Sequence, residues 1–236
     1  MPRKSRALRN FNSSIAIAEA LLKKEKPFPD PPSSRSRKFV EGLRGGATIL
    51  MVAAFENYLK EVVEERLDEL VNSRRFHITK LPERMIFHNY RQTLHFSVYG
   101  PFVGNPSRTH KITGLRQASQ IVVDERINPE AFTALIRSNP NSERVRELFK
   151  IFGLSDIFLS IRSDFDSRIG RPNSGNYIPD TLDAILQRRH IVAHTAKALN
   201  VSRMDLDLSL KFLKILVELI DDELYRHIYS LKQLCQ

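Results

Sequence analysis

The sequence has no tryptophan and a single cysteine, Cys235, so neither an internal disulfide nor a cysteine-based metal site can form. With nine glycines and twelve prolines among 236 residues, it is neither collagen-like nor of low complexity. Long apolar runs are missing too. Residues 47–55 are interrupted by Thr48 and followed by Glu56, well short of the roughly 20 residues that a membrane-spanning helix needs. After Met1-Pro-Arg-Lys-Ser-Arg, the polar residues Asn10, Asn12, Ser13 and Ser14 leave no room for a signal-peptide core, and a cytoplasmic location is expected. Gly-rich phosphate loops, HExxH and the Ser nucleophile elbow are all missing, which removes support for phosphate-loop NTPases, zincins and the common hydrolases.

Acidic residues are scarce in two places, and there the net charge of +10 accumulates. Lys+Arg against Asp+Glu number 11 and 4 over residues 1–44, 2 and 6 over 45–71, 8 and 1 over 72–120, and 16 and 16 over 121–236. The first basic block surrounds a Pro/Ser-rich stretch at 27–36 and reads as a basic N-terminal arm or helix, residues 1–38. The second mixes Arg74, Arg75, Lys80, Arg84, Arg91, Arg108, Lys111 and Arg116 with Phe76, Phe87, Tyr90, Phe96, Tyr99 and Phe102. Cations for phosphates and rings for bases suit single-stranded RNA, and Arg74, Arg75, Arg108 and Lys111 are the candidate contacts. The alternative is that the rings are core and the charges a solvated face.

Apolar residues recur at helical spacing almost throughout. One long helix is expected over 39–71, loosened or closely packed at Gly42, Gly45 and Gly46, with shorter ones over 82–96, 112–127, 129–136, 142–152 and 156–169. Ser142 is a candidate cap and Gly153 a stop. Two final helices fit 180–199 and 202–234. Period-2 patterns at 76–78 and 121–123 are too short for a sheet, so the fold class is all-α, a helical domain over 39–236 with a long irregular basic insertion at 72–120.

One cluster carries chemistry: Leu186-Gln-Arg-Arg-His-Ile-Val-Ala-His-Thr-Ala-Lys197. On a helix His190 and His194 lie about 40° apart, whereas Arg189 and His194 diverge by about 140°. A metal reading would use the two histidines, but the arginines repel a cation and no further ligand is marked. A purely structural reading pairs the arginines with acids and half-buries the histidines. The third reading is acid–base work on a phosphodiester. An imidazole takes a proton from a ribose 2′-OH or gives one to the leaving 5′-oxygen, while guanidinium balances the charge on phosphorus oxygens. RNA carries its own nucleophile, so this chemistry needs no cofactor and no metal.

Arg189, His190 and His194 resemble the R-x4-6-H signature of the HEPN superfamily, with four residues between Arg189 and His194. Gly45-Gly-Ala-Thr-Ile-Leu-Met-Val-Ala-Ala-Phe-Glu-Asn-Tyr-Leu59 is similar to the early long helix of the RiboL-PSP type of HEPN domain. Asn139-Pro-Asn-Ser-Glu-Arg-Val-Arg-Glu-Leu-Phe-Lys-Ile-Phe-Gly153 is similar to the segment upstream of the motif in that group. The similarity covers roughly residues 40–230. The resemblance implies a helical homodimer with two Arg/His sets in one composite cleft, cutting RNA without metal as a toxin, a phage-defence effector or a processing enzyme. It further implies an antitoxin or defence-system partner. Carried over, His194 is general acid/base, Arg189 binds phosphate and stabilises the transition state, and His190 orients the phosphate. Arg188 lies outside the motif's first position and is kept as a phosphate contact. The alternative function is a non-catalytic RNA-binding or protein-interaction helical module.

Overall fold

The structure, a computed structural model, describes residues 4–73, 76–99, 107–133, 140–195 and 201–234; Arg74, Arg75 and the side chain of Arg108 lie outside them. The described residues are all-α. In chain order the helices are α1 (Arg6–Glu25), α2 (Arg37–Val71), α3 (Glu83–Tyr99), α4 (Arg108–Val123), α5 (Pro129–Thr133), α6 (Ser142–Ile151), α7 (Ile157–Ile169), α8 (Tyr177–Thr195) and α9 (Arg203–Leu234), with a 3₁₀ turn at Ile78–Lys80. No described helix is long and apolar enough to cross a membrane.

The central element is α2, whose buried side chains, among them Met51, Phe55, Tyr58, Val62 and Leu67, meet α1, α5, α8 and α9. The polar residues near the N-terminus belong to a helix. Ala7, Leu8, Phe11, Ile15, Ala18 and Leu22 recur at 3–4 spacing and are buried, while Asn10, Asn12 and Ser13 are exposed, Asn10 donating to Glu61 of α2 at 2.7 Å. Ser5 caps α1 by accepting from the Leu8 N–H, and the Glu65 carboxylate takes the N–H groups of Arg6 and Ala7 at 2.8 and 3.0 Å. The segment expected as an arm or helix thus contributes its apolar face to the same core as the rest of the chain. At Gly46 an added Cβ would stand 3.2 Å from Leu21 Cδ1, so glycine there lets α1 and α2 approach closely.

Two buried ion clusters tie the ends of these helices to α9. Glu25, at the end of α1 and without solvent exposure, accepts from Arg44 Nε at 3.0 Å and from Arg203 Nε at 2.6 Å. Burial by itself raises the Glu25 pKa, but the hydrogen bonds from Arg203 and Arg44 outweigh it and hold the carboxyl below its ordinary value. At the other end, the buried Asp221 of α9 accepts from the Ser5 N–H at 3.2 Å and faces Arg66 at 3.6 Å.

In the stretch at 72–120, the helices expected over 82–96 and 112–127 are α3 and α4, and the irregular connection expected between them at 100–106 lies outside the described residues. Neither short period-2 segment is a strand: Ile78 opens the 3₁₀ turn, and 121–123 end α4. The α3 helix buries only Met85, Asn89 and Thr93, and α4 buries only Ala118 and packs on α3. The hairpin therefore leaves Phe87, Tyr99, Ile112, Leu115 and Val123 exposed.

Candidate active site

The α8 helix is amphipathic in a way that sorts its polar residues to different neighbours. Ile178, Leu182, Ile185 and Val192 are buried and dock it on the bundle. Arg189 falls almost in register with that buried stripe, so its side chain runs toward α2 and ends with Nη2 4.0 Å from Glu56 Oε2. Both groups are partly buried, at 29% and 23% side-chain exposure, so the pair is only partly screened by water. Burial pushes the Glu56 carboxyl above its ordinary value, and the Arg189 charge opposes that rise.

On the next flank of α8 the two imidazoles of His190 and His194 face each other, with ring centroids 4.3 Å apart and planes tilted by 58°. Both residues are exposed. The i, i+4 spacing read from the sequence thus gives a real ring pair. Arg188 turns away from it. Its Nη1 donates to Ser209 Oγ at 3.0 Å and its Nη2 lies 3.9 Å from Asp205 Oδ1, both on α9. Adjacent helical positions differ by about 100°, and α9 holds Arg188 on the far side from the ring pair. Both arginines meet carboxylates, as a purely structural reading expects, but the histidines are exposed rather than half-buried.

Beside Arg189 and His190 opens a groove of ≈ 340 Å³ between α2, α8 and the start of α6, lined by Val52, Glu56, Asn141 and Asp183 among others. Its wall is built by α6. Asn141 caps that helix by accepting from the Arg144 N–H at 2.9 Å, and Ser142, the expected cap, instead donates its N–H and hydroxyl to Asp183 of α8 at 2.7 and 2.6 Å. Asp183 thereby locks α6 against the motif helix. Sequence reading missed Glu56, Asn141 and Asp183. For Glu56 the available signal was an acid that closes the apolar run of α2 at 47–55.

No group of three or more metal-ligating side chains gathers among the described residues. Of the expected RNA contacts, Lys111 is exposed on α4, while Arg74, Arg75 and the side chain of Arg108 lie outside the described residues.

The RiboL-PSP-HEPN family model matches residues 10–226, spanning α1 through most of α9 and containing Arg189, His190 and His194. The chain belongs to the RiboL-PSP-HEPN family. Comparison with curated proteins and with solved structures finds no significant match. HEPN domains are often ribonucleases, so membership points to an RNA-related role. The match takes in most of α1, which the resemblance starting near residue 40 did not.

Proposed function

We propose that this HEPN chain is a metal-independent endoribonuclease acting on single-stranded RNA, and that it serves as a toxin or phage-defence effector. The reading rests on one observation: the exposed His190–His194 ring pair stands next to Arg189 at the edge of an open groove. His194 removes the proton from a ribose 2′-OH. The 2′-oxygen then attacks the adjacent phosphorus, the bond to the 5′-oxygen breaks, and a second imidazole protonates the leaving oxygen. The products are a 2′,3′-cyclic phosphate and a 5′-hydroxyl. Arg189 neutralises charge gathering on the non-bridging oxygens, and His190 orients the phosphate through its ring nitrogens.

Arg189 is directed into the bundle and His194 outward, so one chain poorly surrounds one scissile phosphate. A homodimer with the motif helices facing each other brings both sets into one cleft, and Ile191 on α8, 43% exposed, offers an apolar contact there. The deciding experiment incubates the purified chain with labelled single-stranded RNA in EDTA. Cleavage that leaves cyclic phosphate ends and disappears in His194→Ala agrees with the reading; activity that requires an added divalent ion sinks it.

A second reading, a protein-interaction module, draws on the α3–α4 hairpin. Aliphatic residues such as Ile112, Leu115 and Val123 are exposed there. They give nothing to phosphate or base recognition, but they suit an antitoxin or defence-system partner with an apolar face.

A further inference from the structure

The groove beside Arg189 is matched by a second cavity on the opposite flank of α8. This cavity of ≈ 580 Å³ lies between the loop after α7, α8 and the first turns of α9. Its volume falls within the range of about 300–1,000 Å³ typical of small-molecule sites. The lining combines the three cations Arg171, Arg188 and Lys211 with the carboxylate of Asp205, the hydroxyl of Ser209 and the ring of Tyr177.

The cations are not equivalent. Arg188 is held in place by Ser209 and Asp205. The Arg171 and Lys211 side chains engage no carboxylate among the described residues, and both are exposed. The site thus has one oriented guanidinium and two unneutralised charges, which favours an anion with several oxygens. The ring of Tyr177 is partly buried and backed by Phe165 and Phe212 at centroid separations of 6.2 and 6.3 Å, which fixes it as a wall against which a planar group can stack. The Ser209 hydroxyl is spent, donating to the Asp205 carbonyl while accepting from Arg188, and it is the partly exposed Asp205 carboxylate that can meet a hydroxyl or amine. Phosphate, a flat ring and hydroxyls together make up a nucleotide.

We infer that this α8–α9 cavity is a nucleotide-binding site, separate from the Arg189–His190–His194 groove, with Arg171, Arg188 and Lys211 meeting phosphate and Tyr177 meeting the base. The nucleotide comes either as a unit of the bound RNA strand or as a free mononucleotide. The first source rests on the nuclease reading. Half the circumference of a helix about 10–12 Å across is roughly 17 Å, so a strand with its phosphate at Arg189 reaches the cavity after about five stacked nucleotides. Arg188, the motif's immediate neighbour, then belongs to a subsite that selects substrate rather than to the reacting centre.

The test titrates the full chain calorimetrically with AMP, GMP, CMP and UMP, and with a 2′-O-methyl RNA hexamer, which cannot be cut through its 2′-oxygen. Arg171→Glu and Lys211→Glu are compared with Lys24→Glu, an exposed α1 position that makes the same charge change. A free-nucleotide site binds at least one mononucleotide and loses roughly tenfold or more in affinity with either cavity variant but not with Lys24→Glu. An RNA subsite gives that loss with the hexamer alone. Unchanged affinity for every ligand in both cavity variants overturns the proposal, as does equal loss in Lys24→Glu. Because no cleavage is measured, an inactive nuclease with an intact nucleotide response would discard the enzymatic reading and leave this site standing.

Discussion

Arg189 Nη2 lies 4.0 Å from Glu56 Oε2, joining the motif helix α8 to the central helix α2 across a partly buried gap. The pair fixes where the guanidinium points. Standing opposite the guanidinium, the Glu56 carboxylate is a positioning residue for the charge that the proposed mechanism brings to phosphate.

Glu56→Gln should therefore lower cleavage, by roughly tenfold, chiefly through kcat, while changing stability by no more than about 1 kcal/mol, because a partly exposed pair contributes little. The pH dependence has a definite sign. A carboxyl raised above its unfolded value stabilises the fold below the ordinary glutamate range, and that contribution is lost as pH rises through the raised value. Melting temperature against pH for wild type and Glu56→Gln should differ most across that interval. Parallel curves and equal rates would remove Glu56 from the site.

His194→Ala and Arg189→Ala should both reduce cleavage by about 10²–10⁴-fold, but they should differ in stability. His194 is exposed and leaves no cavity, so its variant should melt with the wild type. Removing Arg189 leaves Glu56 partly buried without its partner, and a loss on the order of 1 kcal/mol is expected by chemical denaturation. Equal stability of the two variants would mean that Glu56 finds water as readily as it finds Arg189.

Mixing experiments address the dimer. Wild type with an excess of His194→Ala should fall below simple dilution if each cut uses side chains of two copies. Activity proportional to wild-type concentration, or an active monomer in sedimentation, would show that each chain completes its own site.

The α3–α4 hairpin is tested by salt. If its cations follow an RNA backbone, Lys111→Ala and Arg116→Ala should each flatten the logarithmic dependence of affinity on salt by about 0.7. An unchanged slope assigns the hairpin to a protein partner, for which Ile112→Ser and Leu115→Ser are the informative changes.

Acid should unfold the chain from the Glu25 end. The Glu25 carboxyl lies below its ordinary value in the fold, and so does that of Asp30, chiefly through its hydrogen bond with Arg44. Their stabilisation is present above the ordinary carboxylate range of about 4 and is lost as pH falls through the depressed values. Glu25→Gln should weaken the fold at neutral pH, because it leaves the buried Arg44 without its closest charge, and should flatten the acid limb of a pH–stability profile.

Much of the fold was readable because helices announce themselves locally. In α9, Leu206, Leu213, Val217, Ile220, Leu224 and Ile228 recur at helical spacing and are all buried, and Gly153, with φ of 94°, ends the turn after α6 as expected of a residue without Cβ. A linear reading leaves the N-terminal segment open between arm and helix because Asn10, Asn12 and Ser13 look like breaks, although all three lie on the exposed face of α1. The helices expected over 82–96 and 112–127 correspond to α3 and α4, but the start of α4 lies four residues earlier than its apolar pattern marks, because it has few buried positions to show its register.

By itself the sequence determined the helical class, the uneven charge and the spacing that sets His190 beside His194, since each depends on residues within a turn or two of one another. Tertiary structure alone decided that Arg189 meets Glu56, that Arg188 turns to Ser209 and Asp205, and that Asp183 holds the start of α6. Helical periodicity gives a side chain's angle about its own axis, but which neighbour occupies that direction follows from how distant apolar faces pack, and no local spacing encodes it.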